Sequence, residues 1–401
     1  MRPESPIRAL FEPASIAVIG ASRSPGKVGH QALKNIIDAG YRGRIIPVNP
    51  EAREILGQAC ARHVDDLPAV DLAVICLPRD KVLDTVEALA HKHVPAAVVV
   101  STGFKESGRE GYLLEERLRA VAKAADMALL GPGSLGLASP EHRLNATILP
   151  DAPLAGNIGF FSQSGAFCTA MLDVFTAEGL GFSKFLSLGN EAVVDETAAI
   201  TALGEDPGTK VIVGYLESVD EGQRFRRAAE KTTAKKPVVL LKAGSSPSGA
   251  RAVTNHTGSQ AGYPPAYVSA LKQSGVLQVD DVESLMALAR AFSEQPLPTG
   301  PNLCVVTNSG GPGILTADAC ENSRLHLVRP GPEAVEKLRE ALPPYASLYN
   351  PIDIIGDAGA ERYRTTMDIV VEDEMTHALL VLLTPTASVE IEATAKAVIE
   401  V

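Results

Sequence analysis

Tryptophan is absent from the 401 residues, and the aromatic share is only 4%. The apolar 45% is nonetheless ample for sizeable cores, so those cores rest on aliphatic side chains. Basic charge is also short: 37 Lys and Arg stand against 48 Asp and Glu, a formal net charge of −11. That balance argues against general nucleic-acid affinity, because a phosphate backbone needs a basic face. It leaves room for small anionic ligands, which are held by local loops and helix ends. Cys60, Cys76, Cys168, Cys304 and Cys320 lie far apart with no C-x-x-C spacing. No disulfide framework follows, and Cys76 and Cys304 sit in apolar runs, which points to buried free thiols in a reducing cytoplasm. His91 and His93 lack a clustered carboxylate or thiol, so they read as a solvated helix end and no metal site is expected. No apolar run is long enough to span a bilayer, and the amino terminus has no long apolar h-region. The expectation is a cytoplasmic protein without membrane contact.

Glycine and proline are plentiful, 34 and 28, and spread along the chain as in a βα-repeating enzyme with many short loops. The length suits two or three domains. Short apolar strands alternate with helical stretches: Ser15–Ser22, a strand running into a glycine turn, then Arg44–Pro50, Asp71–Pro78 and Ala96–Ser101 open the chain. That alternation means a parallel, doubly wound α/β sheet. Gly20, Gly26 and Gly29 do not fit the dinucleotide spacing G-x-G-x-x-G, and Asn49-Pro50 stands where an acidic residue would hold a ribose. Nicotinamide binding is therefore disfavoured, although Lys27 at a helix start suits a phosphorylated nucleotide. Gly131-Pro-Gly-Ser-Leu-Gly136 reads as the close of the first domain.

The second segment offers three groups that a parallel sheet would bring to one edge. An apolar strand runs into Ser162-Gln163-Ser164-Gly165 and a helix, which makes an anion seat of hydroxyls and free amides. Plain N-capping by Ser162 or Ser164 is the competing explanation. The strand Lys210–Glu217 ends in a carboxylate at its C-terminal tip. Pro237–Lys242 then delivers the chain to Gly249–Gly262, a glycine-bracketed stretch that reads as a loop carrying one histidine, His256. Imidazole is a good nucleophile near neutral pH, and Glu217 beside it would orient the ring and stabilise its positive charge. A Pro-rich linker at 295–301 precedes a third α/β unit, in which Thr307-Asn-Ser-Gly-Gly-Pro-Gly313 repeats the strand, glycine loop and helix theme. The expected domains are 1–150, 151–297 and 301–401. The last is expected to be cut short, since the helical pattern to Val401 has no closing strand after it.

These motifs, in this order, resemble the nucleoside-diphosphate-forming acyl-CoA synthetases, relatives of succinyl-CoA synthetase. The likeness runs through Ile-Ala-Val-Ile-Gly-Ala-Ser (16–22), Pro-Val-Asn-Pro (47–50), Gly-Pro-x-Ser-Leu-Gly (131–136), Ser-Gln-Ser-Gly (162–165) and Ser-Leu-Gly-Asn (187–190). It continues through Tyr-Leu-Glu (215–217), His-Thr-Gly (256–258), Thr-Asn-Ser-Gly-Gly-Pro-Gly (307–313) and Asn-Pro-Ile-Asp (350–353). The resemblance implies the α-type portion: a Rossmann-like CoA-binding domain followed by two flavodoxin-like domains. It further implies reversible exchange of acyl-CoA, phosphate and ADP with acid, CoA and ATP, through an acyl phosphate and a phosphohistidine.

By the same resemblance His256 is the phosphorylated histidine, Glu217 its supporting glutamate, and Ser162, Gln163, Ser164 and Gly165 the phosphate-binding helix end. The CoA pocket would take Gly20, Ala21, Ser22, Lys27, Val48, Asn49 and Pro50, with Leu77, Pro78, Ser101 and Gly103 from the later loops. Two departures stand out. The family usually has Asn where this chain has Gly133, near the CoA thiol end. No ATP-grasp domain is visible, so the nucleotide step, with its Mg, is expected from a partner subunit or downstream domain, and an oligomer is expected. The competing reading is an acyl-CoA-sensing regulatory region like that fused to protein lysine acetyltransferases. Such regions often lack the histidine, so its presence in His-Thr-Gly favours the enzyme.

Overall fold

The short apolar runs between glycine turns become parallel strands. In the computed structural model, which describes residues 6–257, 264–387 and 389–401, β1 (Ser15–Ile19) and β2 (Arg44–Val48) are followed by a small hairpin of β3 (Glu54–Ile55) and β4 (Gln58–Ala59). Then come β5 (Leu72–Ile75), β6 (Ala96–Val99) and β7 (Ala128–Leu130). The first sheet has the order β2-β1-β5-β6-β7 with every pairing parallel. Helices α1 (Pro6–Phe11), α2 (Val28–Asp38), α3 (Val82–His91) and α4 (Arg109–Ala124) accompany it. All side chains of β1, β5 and β6 are buried, as expected of strands covered on both faces. The chain leaves β1 toward β2 on one side and returns to β5 on the other, so the crevice beyond the β1 and β5 tips is a topological switch point.

The second sheet is larger, and it begins earlier than the sequence suggests. Strands β8 (Gly136–Ser139) and β9 (Leu144–Thr147), expected inside a first domain ending at 150, pair antiparallel with each other, and β8 pairs antiparallel with β11 (Phe182–Ser187). The division at 150 therefore cuts them from their own sheet. Their small and polar residues give no apolar run to read, and only tertiary pairing defines them. With β10 (Ala155–Ser162), β12 (Val211–Leu216), β13 (Val238–Lys242) and β14 (Leu277–Val279) the order is β14-β13-β12-β10-β11-β8-β9. Its helices are α5 (Gly165–Ala177), α6 (Glu196–Glu205), α7 (Gly222–Thr233), α8 (Pro247–Thr257), α9 (Pro264–Gln273) and α10 (Val282–Glu294). The scarce aromatics are concentrated here. Phe160 stacks on Phe185 at 4.9 Å, and Phe175 and Phe182 complete the cluster. Both sheets belong to one unit, Met1–Gln295. Buried Asn35 of α2 ties them, its Nδ2 donating to the carbonyls of Thr147 and Leu149 at 2.9 and 2.8 Å.

The second unit, Pro296–Val401, is built on β15 (Asn302–Thr307). Strands β16 (His326–Leu327) and β17 (Ile352–Asp353) pair with its two ends, and β18 (Ala378–Leu382) runs along its length, all parallel. Helices α11 (Gly310–Glu321), α12 (Pro332–Ala341), α13 (Ala360–Val371) and α14 (Ile391–Glu400) surround this sheet. Asn350 fills the gap that β16 and β17 leave: its Oδ1 accepts from Val305 N at 2.9 Å and its Nδ2 donates to the carbonyls of Leu303 and Val328. The side chain thus substitutes for missing ladder bonds, which accounts for an asparagine at the head of Asn-Pro-Ile-Asp. No described helix is long and apolar enough to cross a membrane.

Candidate functional site

Register across the second sheet decides which residues meet. Ser162 stands opposite Ser187 on one side and Tyr215 on the other, and Leu216 stands opposite Lys242. The C-terminal tips of β10, β11, β12 and β13 therefore share one edge, where open α/β sheets place their ligands. A cavity of about 320 Å³ opens there, lined by Gln163, Ser164, Gly165 and Ala166, by Glu217 and Ser218, by Asn190 and Glu191, and by Thr102, Lys105, Glu106 and Gly133 from the first sheet's side. A larger groove of about 930 Å³ lies by α6 and α7 and contains none of the residues nominated from the sequence. The smaller cavity joins a helix start to carboxylates and strand tips.

The serine-rich turn divides its labour. Ser162 is fully buried, and its Oγ donates to the Ser164 carbonyl at 2.9 Å while accepting from Ser164 N at 3.0 Å. That hydroxyl is consumed in shaping the turn and does not face a ligand. Ser164 caps α5 by accepting from Phe167 N at 3.3 Å, which uses a lone pair and leaves its proton to donate toward the cavity. Capping and anion binding, which compete on sequence alone, are compatible in this one hydroxyl. The amides of Gly165 and Ala166 precede the first intrahelical bond, Cys168 N to Ser164 O at 3.0 Å, and sit at the positive end of the helix dipole. Gln163 is a clamp. Its Nε2 donates to Glu191 Oε2 and to the Ser218 carbonyl, both at 2.8 Å, and its Oε1 accepts from Glu217 N and Ser218 N. The amide has no capacity left for phosphate.

Glu217 follows β12 and is only 6% exposed. Lys242, 5% exposed, donates its Nζ to the Glu217 carbonyl at 2.9 Å and lies 4.5 Å from the Tyr267 ring centroid. Burial pulls the Lys242 pKa down, opposed by the Glu217 charge. Tyr215 is pushed up to about 12, by burial first and then by the Glu217 carboxylate to which it hydrogen-bonds. Glu217 is thus placed by a buried cation and a phenol, not left solvated at a strand end. On the opposite wall Lys105 Nζ donates to the Asn190 carbonyl at 2.6 Å, and Asn190 Nδ2 donates to Glu106 and Glu115. Burial tends to raise Glu106, yet hydrogen bonds from Asn190, Gly103 and Phe104 hold it below the ordinary range. Lys105, Glu106 and Glu191 were not legible as site residues, because loop charges usually face water.

The segment expected to be a loop is largely helical. Ser246 Oγ accepts from Gly249 N at 3.0 Å, Pro247 takes the first helical position, and Ala250, Arg251 and Ala252 are good helix formers. The backbone of His256 therefore belongs to α8; its side chain, and residues 258–263, lie outside the described residues. Helix α8 meets the turn Lys105–Ser107, which borders the cavity.

At the first sheet the nominated loops also gather at strand tips. Gly20, at φ +84°, has no room for a Cβ, which would sit 2.4 Å from the Cys76 carbonyl oxygen, and a Cβ on Gly29 would meet the Gly20 oxygen at 2.0 Å. Helix α2 thereby starts hard against the end of β1 and leaves a cradle for a ligand over its amides. Val48 accepts from Gly20 N at 3.1 Å. Asn49 Nδ2 donates to the Ala21 carbonyl while its Oδ1 accepts from Glu51 N and Ala52 N, so it ties the loops together. Buried His30 lies 2.9 Å from the Ser22 carbonyl, while Lys27 is exposed. Ser101 donates to the Leu77 carbonyl, next to Pro78, and Arg79 donates to Gly103 O at 3.0 Å. Arg79, one residue past the nominated loop, is a cation at this edge that sequence reading passed over. Gly133 has φ +70°, and a Cβ there would lie in ordinary contact with Thr102 and Asn190, so the cavity has room for a side chain the residue does not supply. Among the described residues no three of His, Cys, Asp and Glu gather as a metal site.

Three family models cover most of the chain: the CoA binding domain over 14–140, the succinyl-CoA ligase like flavodoxin domain over 155–292 and the ligase-CoA domain over 303–399. An ADP-forming acetate–CoA ligase I from Archaeoglobus fulgidus is 44% identical over 97% of this chain and 56% of its own length. A 4-hydroxybutyrate–CoA ligase (ADP-forming) from Nitrosopumilus maritimus is 36% identical over 98% of this chain and again 56% of its length. The chain thus spans little more than half of these relatives. The α subunit of an ADP-forming acetate–CoA ligase II from Pyrococcus furiosus is 40% identical, with 91% of this chain matched to 79% of that subunit. Among solved structures, an acetyl-coenzyme A synthetase 1 from Ca. Korarchaeum cryptofilum in complex with phosphate and ADP superposes with a TM-score of 0.92 at 38% identity, covering 98% of this chain and 85% of that one.

Proposed function

The chain belongs to the ADP-forming acetate–CoA ligase family, in its α-type portion, and from that premise we propose that it interconverts acyl-CoA, phosphate and ADP with carboxylic acid, CoA and ATP. The observation that carries this reading is the single cavity in which the α5 start, the buried Glu217 tip and the Lys105 wall converge. A phosphate seated on the Gly165 and Ala166 amides and the Ser164 hydroxyl is held by neutral donors at a helix N-terminus. One phosphate oxygen attacks the thioester carbonyl; the C–S bond breaks, the phosphate proton passes to the thiolate, and acyl phosphate and CoA result. His256 then takes the phosphoryl group, releasing the carboxylate, and passes it to ADP. Imidazole suits both steps, being nucleophile and leaving group.

CoA would lie at the switch point of the first sheet, over the Gly20–Gly29 cradle, where exposed Lys27 meets its phosphates and the loops at Asn49, Pro78 and Ser101 to Gly103 flank it. CoA supplies the thiol; the chain supplies the cradle. The nucleotide and its Mg belong in this reading to an ATP-grasp partner, which relatives described as α subunits support. Supplying an acyl-CoA and labelled phosphate to the chain tests the proposal. It predicts an acid-labile phosphate on His256, and the absence of label with every acyl-CoA tried would overturn it.

A further inference from the structure

Gly133 lines the cavity and leaves a recess in its wall. A Cβ at this position would meet only Asn190 Oδ1 and the Thr102 methyl, each at 3.8 Å. Neighbouring Gly189 is different: a Cβ there would sit 2.3 Å from the Pro132 carbonyl oxygen, so the two turns are packed hard against each other. Asn190 N donates to that same carbonyl at 2.8 Å, and Gly133 N donates to Ser101 O at 2.9 Å. The recess is therefore a fixed feature of these walls and not slack between them. Asn190 turns an acceptor toward it. Its Nδ2 donates to Glu106 at 2.6 Å and to Glu115 at 2.8 Å, which spends both amide protons. Two carboxyl partners fix the orientation of the amide, because the flipped group would set its oxygen against theirs. Among the described residues no donor reaches Asn190 Oδ1.

We propose that the Gly133 recess is the acyl pocket, and that it selects short carboxylic acids bearing a terminal hydroxyl, which donates to Asn190 Oδ1. Once the C–S bond has broken, everything still bonded to the phosphate has to fit this cavity of about 320 Å³, whereas the CoA arm is free to leave. With the phosphate on the α5 start, the acyl chain is left the wall formed by Thr102, Gly133 and Asn190. The apolar residues among the described lining are glycines and Ala166, so a bare hydrocarbon chain finds little surface to bury against. A hydroxyl at the chain end instead meets an acceptor that the protein leaves unpaired. A methyl in the same place strips water from Oδ1 and returns no hydrogen bond. Asn190 is thus a specificity-determining residue that acts at the far end of the acyl group.

The inference rests on taking this cavity as the place where phosphate meets the thioester, and the test separates the two. The probes are two pairs matched in length, with hydroxyl exchanged for methyl: 3-hydroxypropionyl-CoA against butyryl-CoA, and 4-hydroxybutyryl-CoA against pentanoyl-CoA. The rate of protein labelling from labelled phosphate is measured at limiting acyl-CoA. The wild-type chain is compared with Asn190→Ala and with Gly133→Ala, whose Cβ enters the recess without a close contact; melting curves confirm folding. The wild type is expected to favour the hydroxylated member of at least one pair by about tenfold or more. That ratio is expected to fall toward one in both variants. A wild-type ratio near one in both pairs overturns the proposal, as does a ratio that persists in Gly133→Ala or in folded Asn190→Ala. A loss equal for all acyl-CoAs would place the CoA arm in the recess and overturn it too. No label from any acyl-CoA with the wild type, acetyl-CoA included, removes the underlying reaction and this inference together.

Discussion

Lys242 Nζ lies 2.9 Å from the carbonyl oxygen of Glu217, so the last residue of β13 fixes the tip of β12. The same ammonium covers the ring of Tyr267 on α9, whose hydroxyl sits 3.2 Å from Val219 N. The strand end before the His256 segment and the helix after it are thereby fastened to one turn. Lys242→Met keeps the aliphatic stem and removes the charge. Loss of about 1.5–3 kcal/mol is expected for a hydrogen bond to a charged group. A lower phosphohistidine yield at equal folded fraction is expected as well. Denaturant titration alongside phosphate labelling checks both; a variant equal to wild type in each would make the contact incidental.

Gln163, which the family resemblance implies as a phosphate ligand, satisfies four protein groups with its side-chain amide. Gln163→Ala strands the amides of Glu217 and Ser218 and the Ser218 carbonyl in a buried turn. A destabilisation of about 2–4 kcal/mol is expected. A direct phosphate ligand would give the opposite pattern, weak anion binding with unchanged stability, so urea unfolding and sulfate titration on the same variant discriminate between the two roles.

The strand tips were legible because an apolar run ending in glycine or serine marks both the end of a parallel strand and the start of a helix. Ser164 and the Gly20 loop could be placed on that basis, and Glu217 as the polar end of its own apolar run. Glu191 could not, since it follows Ser-Leu-Gly-Asn as an ordinary loop charge, and only tertiary structure gives it the bond from Gln163. Helix α8 was hidden for a local reason: its glycines and hydroxyls suggested a loop, while Ser246 and Pro247 carried the start signal. Strands β8 and β9 were hidden for a tertiary one, as their pairing is the sole thing that makes them strands.

Glu196 gives stability a pH dependence of definite sign. Its folded pKa of about 7 lies above the ordinary 4.5, so the folded state binds the proton more tightly than the unfolded chain does. The contribution is fully present below pH 4.5 and is lost as pH rises toward 7. Urea unfolding of wild type and Glu196→Gln across that window should show the wild type losing stability relative to the variant as pH increases. A gap that stays constant, or one that widens in favour of wild type, would contradict a Glu196 proton held by burial.

Asn350 is expected to matter within the second unit. Asn350→Ala leaves Val305 N and the carbonyls of Leu303 and Val328 without their side-chain partner inside a sheet. A cost of about 2–4 kcal/mol follows from the same unsatisfied-group argument. Hydrogen exchange locates it: the Val305 amide loses protection while amides of β10 and β12 keep theirs. Unchanged protection at Val305 would show that the ladder closes without Asn350.

Ser164 and His256 separate seat from carrier. Ser164→Ala removes both the helix cap and the hydroxyl facing the cavity, for about 1 kcal/mol of stability and a roughly tenfold weaker phosphate dependence, the equivalent of about 1.4 kcal/mol. Ser164→Asp keeps a cap acceptor but places a negative charge where the anion would sit; it should restore stability and abolish phosphate use. That split is diagnostic, since a hydroxyl serving only as a cap would be rescued in both respects. His256→Ala should leave stability and sulfate affinity near wild type, because the seat is built from α5 and the β12 tip, and yet carry no label from acyl-CoA and labelled phosphate. If label persists in that variant, the phosphoryl group rests on another residue, and the seat without its carrier would still explain anion binding but no longer the transfer to ADP.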